Sequence, residues 1–177
     1  MASNQLASYR PSSIVVAISH PNTNTSHILG GMAKDSVVTI DYPEATWTEK
    51  TLNNGETVRT HSKDNTLRVT IHLDQTSASN DYLSALSDFD DRDATGMEGI
   101  FTCTFADKSS RTYAYSAQCF VKRPQSYEFG SDTSVRDWVI VMPNADQHLG
   151  GSGLVDSELL ASLEALGVVI DDTWKVK

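Results

Sequence analysis

Five histidines, His20, His27, His61, His72 and His148, are the side chains best placed to hold a metal or move a proton near neutral pH. None shows HExxH or comparable ligand spacing, and all fall at turns or at solvent-facing positions of strand-like runs. His72 and Asp74 share one face of an alternating segment and could bind a cation or shuttle a proton, although a polar pair on an exposed face is the plainer reading. The paired carboxylates Asp90-Asp91 and Asp171-Asp172 are chain neighbours, and nothing in the sequence brings them to opposite sides of a substrate. No GxSxG, Walker-type loop or GxGxxG is present. Gly30-Gly31 and the cluster at Gly150 lack the strand-to-helix context of a phosphate cradle and read as bends. Cys103 and Cys119 alternate in phase with apolar neighbours, which predicts buried free thiols, and there is no CxxC pair. No catalytic, cofactor or metal site is predicted, and the chain reads as something other than an enzyme.

The elements that would carry these groups are organised around residues 67–89, LRVTIHLDQTSASNDYLSALSDF. Leu67, Val69, Ile71 and Leu73 alternate with Arg68, Thr70, His72 and Asp74, the period of a half-buried strand. After Gln75 the period lengthens. Tyr82, Leu83, Leu86 and Phe89 recur at three- and four-residue spacing behind Thr76, Ser77, Ser79 and Asn80, whose side chains can accept from the first helical turn. The helix is predicted over 79–90.

Further strands are predicted at 13–19, 27–34 and 36–42, the first two as a hairpin, with Gly30-Gly31 marking a bulge or close backbone approach. From Pro43 to Asn65 the chain is more polar, and Asn53-Asn54-Gly55 is a turn signal between 46–52 and 56–61. This second hairpin holds only Trp47, Leu52 and Val58 as large apolar groups, too few to fold alone, so it is either a surface excursion or an arm that docks on a neighbour. Residues 88–93, DFDDRD, put acid where a helix dipole disfavours it, as a solvated end or charged rim. Strands follow at 100–105 and 112–122, with Tyr113, Tyr115, Ala117, Cys119 and Val121 expected on one face. The strand 134–142 has an almost unbroken apolar run, which predicts cover on both faces. Gly150-Gly151-Ser152-Gly153 reads as a flexible hinge before an amphipathic helix at 156–166, and the final residues suggest one more short strand. Residues 1–10 are polar and expected to be loose.

At 177 residues the chain suits one domain with a substantial core, burying roughly 70% of its unfolded surface. It is 39% hydrophobic and 21% charged, with no apolar stretch long enough to span a bilayer as a helix and no secretory pattern at its start. Synthesis and folding in the cytosol are expected. A net charge of −9 excludes clustered basic recognition of nucleic acid and suits solubility.

The run QTSASNDYLSAL behind LRVTIHL, together with YEFGSDTSVRDWVIVMPNADQHLGG at 127–151, resembles a family of bacteriophage tail tube proteins from contractile-tailed phages. The resemblance covers about residues 9–151 and lies in the order and spacing of blocks. It implies a mainly β fold, an antiparallel β-sandwich or barrel with one flanking α-helix, here followed by a C-terminal helical extension at 152–177 that lies outside the family pattern. It also implies a self-assembling virion protein: hexameric rings stacked into a hollow tube, in contact with sheath, baseplate and tape-measure proteins, through which DNA passes without specific binding. Under that reading the 43–65 hairpin is a stacking loop, Trp47, Leu52, Val58 and Trp138 are expected at subunit contacts, and Asp41, Asp74, Glu98 and Asp137 are candidates for the lumen wall. The alternatives are a ring protein of a type VI secretion or other contractile injection system and, from a different class, a monomeric β-barrel that binds a small ligand.

Overall fold

The computed structural model describes residues 9–176; the chain start expected to be loose lies outside the described residues up to residue 8. Strands β1 (Ile14–His20), β2 (Thr25–Ile28), β3 (Val38–Asp41), β4 (Trp47–Thr51), β5 (Thr57–His61) and β6 (Leu67–Asp74) precede helix α1 (Ser79–Arg92). Then come β7 (Phe101–Asp107), β8 (Tyr113–Lys122), β9 (Val135–Met142), the short β10 (Asp146–His148) and helix α2 (Ser157–Ala165). The mainly β antiparallel expectation holds: β2-β1-β7-β8-β9-β6-β3 run side by side, β10 adds to β8, and β4-β5 form a separate pair.

The sheet folds over an apolar interior at β8. That strand's first half pairs β10 and β7, whereas its last residues pair β9. In between, the register advances three residues on β8 against two on β7, from Phe101↔Cys119 to Cys103↔Ser116. This bulge overturns the predicted single face of β8: Ala114 and Ser116 point inward, Tyr113 and Tyr115 outward, and Cys119 and Val121 inward again. The Ser116 hydroxyl is satisfied by donating to the Pro143 carbonyl at 2.6 Å. Both cysteines are free and buried, as expected.

The other side of the sandwich is bridged by residues 29–33. Leu29 N–H donates to Val16 on β1, Ala33 N–H donates to His72, and Gly31 C=O accepts from Asp74 on β6, so one segment hydrogen-bonds the two outer reaches of the sheet. Strand β2 is consequently shorter than the predicted 27–34.

Helix α1 covers the core with Leu83 and Leu86, and its buried Ser79 accepts from Gly30 N–H at 3.0 Å. Ala78 at the helix start offers no side-chain cap, but Ser77 Oγ accepts from the Ser79 N–H at 3.2 Å, as expected of the polar cluster, and Asn80 reaches back to donate to the Asp74 and Ser77 carbonyls. The acidic end is not bare either. Arg123 donates to Ser87 Oγ and pairs with Asp88 and Asp91, which offsets the unfavourable dipole.

Asp93 organises the loop beyond α1. Its carboxylate accepts from the N–H groups of Thr95, Met97 and Glu98 at 2.7, 2.7 and 2.6 Å and from the Thr95 hydroxyl. These bonds, the one from Glu98 foremost, lower its pKa to about 2. An unfolded Asp titrates near 3.9, roughly, so the loop's stabilisation is complete above that pH and is lost as pH falls through the folded value. Carboxyl NMR should find the Asp93 midpoint at about 2, with the Thr95, Met97 and Glu98 amides losing exchange protection through the same transition. A midpoint at the ordinary value would refute this account.

The C-terminal residues depart from expectation in two ways. The glycine run is pinned, not a free hinge: Arg111 N–H donates to Gly151, Arg111 Nη1 to Gly153, and the Thr112 hydroxyl to Gly150. A Cβ on Gly150 would lie 2.4 Å from Arg111 Cβ, a close approach that explains glycine there. Where a last strand was predicted, the chain forms a 3-10 turn at Asp172–Trp174 and one parallel bridge, Val155↔Lys175.

Candidate functional site

The water-facing surface of β3, β6 and β9 gathers most of the groups singled out in the sequence. Alternation on β6 buries Leu67, Val69, Ile71 and Leu73 and leaves Arg68, Thr70, His72 and Asp74 on the outer face. Register then dictates the neighbours. Thr39 lies opposite Thr70 and Asp41 opposite Arg68 on β3, while Asp137 lies opposite His72 and Val135 opposite Asp74 on β9. Asp41, Asp74 and Asp137 therefore share one face; Glu98 does not, belonging to the loop before β7, where its carbonyl accepts from Asn22 Nδ2. Arg68 and Lys122 stand on the same face as the three aspartates, so it is a mixed surface with a slight acidic excess.

His72 and Asp74 share this face but bond different partners. His72 Nδ1 lies 2.7 Å from Asp137 Oδ1, and its Nε2 lies 3.0 Å from Thr39 Oγ1, a hydroxyl–imidazole–carboxylate chain across three adjacent strands. Asp74 turns instead to the N–H and hydroxyl of Thr76 and to the Thr133 hydroxyl, and the Thr76 N–H bond, first among these, lowers its pKa. Thr39 was missed because nothing local marks a residue 33 positions away as the partner of His72. The chain of hydrogen bonds laces the three strands together on the open face, where polar side chains need no apolar cover.

The remaining histidines have structural partners. His20 corrects the expectation of an exposed turn position: it is fully buried at the end of β1, its Nδ1 accepts from Thr23 N–H, and its ring meets Phe89 edge-on at 5.4 Å. His27 Nε2 contacts Ser79 Oγ at 3.0 Å, His61 packs on Trp47, and His148 lies near Tyr113. Among the described residues no group of three or more His, Cys, Asp or Glu is gathered to hold a metal. No helix among the described residues is long and apolar enough to cross a membrane.

The β4-β5 hairpin is the second surface. Every residue of both strands is exposed, and Trp47 has Arg59 4.3 Å over its ring and the His61 ring 4.7 Å away. Leu52 and Val58 are open to solvent as well. Trp138, grouped with these three in the sequence, is placed elsewhere: it is buried within its own subunit beneath α1, and its indole N–H donates to Asn80 Oδ1 at 2.9 Å. That ring takes most of its cover from its own subunit, which accounts for the apolar character of β9 at this position.

Two comparisons bear on what these surfaces serve. A family model described as the bacteriophage PhiTE tail tube protein matches residues 6–150. A protein named structural protein ORF10, of Pseudomonas phage KPP10, is 32% identical over 168 residues, covering 95% of this chain and 96% of that protein.

Proposed function

The chain belongs to the bacteriophage tail tube family, and from that premise we propose that it assembles as hexameric rings, stacked into the hollow tail tube through which phage DNA is ejected. The observation that carries this reading is the family match, which spans all ten strands and α1. The fold supplies a physical motive. Among the described residues, strands β2 and β3 end the sheet with unpaired borders, and such borders favour pairing with another chain unless a ring closes them off.

The outer face of β3, β6 and β9 is our candidate for the lumen wall, with Asp41, Asp74 and Asp137 lining it. Mixed charge with a small acidic excess repels the phosphate backbone only weakly, within a Debye length of about 8 Å, and offers it no basic cluster to bind. Sheath, baseplate and tape-measure proteins are the partners this role implies, and the virion tail is the location.

Electron microscopy of the purified, concentrated protein tests the reading directly. Annuli of six-fold symmetry or hollow filaments are expected, with central density absent in cross-section. Single globules at every concentration, in the presence or absence of the other tail proteins, would overturn it.

A further inference from the structure

Arg136 is a charged residue on the core side of β9, with only 9% of its surface exposed. Its Nη1 donates to the Glu128 carbonyl and Ser134 Oγ, and its guanidinium lies 5.2 and 4.9 Å from the rings of Tyr127 and Phe129. Among the described residues no carboxylate pairs with it within 4 Å. It looks into a cleft of about 420 Å³ shared with Arg123, Trp138 and a single acid, Asp81. A largely buried cation without an anion is unfavourable, and Arg136 beside open aromatic faces suits a partner that brings a carboxylate and apolar side chains together, whereas Arg123 at the rim is already paired with Asp88 and Asp91.

The same chain presents such a segment. Residues 152–174 carry Asp156, Glu158, Glu164, Asp171 and Asp172 and no Lys or Arg. Asp156 and Asp171 cap turns and Asp172 pairs with Lys175, but Glu158 and Glu164 make no ion pair among the described residues. Beside them Leu159 is exposed, Leu166 is 80% exposed and Val169 93% exposed, and α2 buries none of its residues.

The two surfaces lie at opposite ends of β8. The extension is tied to Arg111, just before the strand begins, through the Gly151 and Gly153 carbonyls and the Trp174 ring 5.1 Å away. The cleft opens at Arg123 and Pro124, just after it ends. Ten residues of strand separate them, roughly 30 Å at about 3.3 Å per residue, so they cannot meet within one chain. Complementary surfaces at opposite ends of one molecule generate a head-to-tail contact that repeats without closing, as stacked rings require. The β4-β5 hairpin is the weaker candidate for the cleft, because its Trp47 already holds a cation of its own in Arg59.

We propose that the acidic, leucine-bearing C-terminal extension of one copy docks in the Arg123–Arg136 aromatic cleft of the next copy along the strand direction. This rests on the tube reading and adds to it a ring-to-ring contact in a segment outside the matched family region.

The test mixes two full-length variants, Phe129→Cys and Leu166→Cys, lets them assemble, and treats the particles with a short bis-maleimide; the native cysteines are buried. A heterodimer band is expected from the mixture and not from either variant alone, and Glu158→Lys with Glu164→Lys in the Leu166→Cys chain should abolish it. Rings or tubes without the heterodimer would overturn the docking while leaving the tube reading intact. Preferential linkage of Phe129→Cys to a Trp47→Cys chain would also overturn it, by giving the cleft to the hairpin. Failure of the unmodified protein to form any ring or tube would remove both.

Discussion

Deleting residues 44–64 and joining the ends with a short Asn-Gly turn is expected to leave a subunit that folds normally and no longer polymerises. Both halves of this outcome follow from where the hairpin attaches. β4 and β5 pair only with each other, their turn is closed by Leu52 N–H to Glu56 and Gly55 N–H to Leu52, and none of their side chains belongs to the core. Asp41 and Arg68, the nearest paired residues on either side of the deletion, lie directly opposite across β3 and β6, so their Cα atoms are about 5 Å apart and the short loop left between them spans the gap. The melting temperature should therefore shift by no more than a few degrees. Assembly is another matter. Trp47, Leu52 and Val58 are large apolar groups held in solvent on an arm that buries none of them, and aromatic side chains of this kind dominate the energetics of protein interfaces. Circular dichroism should show a native β spectrum, and electron micrographs should show no tubes. Tubes of normal length from the deleted chain would sink the idea of a docking arm, and Trp47→Ala alone should reproduce much of the loss.

The elements that sequence alone revealed share a physical cause. The alternation from Leu67 to Asp74 was legible because that strand has a dry face and a wet face along its whole length, and each side chain reports which one it occupies. The hairpin at 47–61 was legible because its Asn-Asn-Gly turn is local chemistry. Cys103 and Cys119 were legible as buried thiols for the same reason as β6. What stayed hidden depends on partners distant in the chain. One inserted residue in β8 exchanged the faces of Tyr113 and Tyr115 with those of Ala114 and Ser116, and a bulge of this type has no compositional mark when neither glycine nor proline makes it. His72 shares a face with Asp74 on its own strand, and only register across the sheet gives it Asp137 and Thr39 as partners. Trp138 lay in an apolar run that suits a subunit interface as well as a helix-covered core, and only the position of Asn80 decides between them. The short β10 pairs through three residues, too few to leave a pattern.

Substituting Gly31 by alanine should be among the most destabilising single changes in the chain, while the same change at adjacent Gly30 should be nearly silent. Gly31 has φ of +68°, and a Cβ built there would fall 2.6 Å from Ser77 Cβ and 3.2 Å from its Cα. Left-handed backbone costs an L-residue about 1–2 kcal/mol, and forcing a methyl into an occupied site costs about 1–3 kcal/mol more. Ser77 has little room to yield. Its hydroxyl donates to Gly30 C=O, its N–H donates to Asp74, and its backbone leads straight into α1. Displacement of Gly31 would also strain the bonds on either side of it, Asp74 N–H to Gly31 C=O and Ala33 N–H to His72, by which this segment joins the reaches of the sheet. At roughly 2–4 °C per kcal/mol for a chain of this size, Gly31→Ala should lower the melting temperature by about 10 °C. Gly30 has φ outside the left-handed region and nothing within 4 Å of an added Cβ, so Gly30→Ala should stay within about 1 kcal/mol of the parent. Calorimetry on the two variants decides the matter: equal melting temperatures would mean that residues 29–33 do not hold the sheet closed, and that the subunit's rigidity must come from its neighbours.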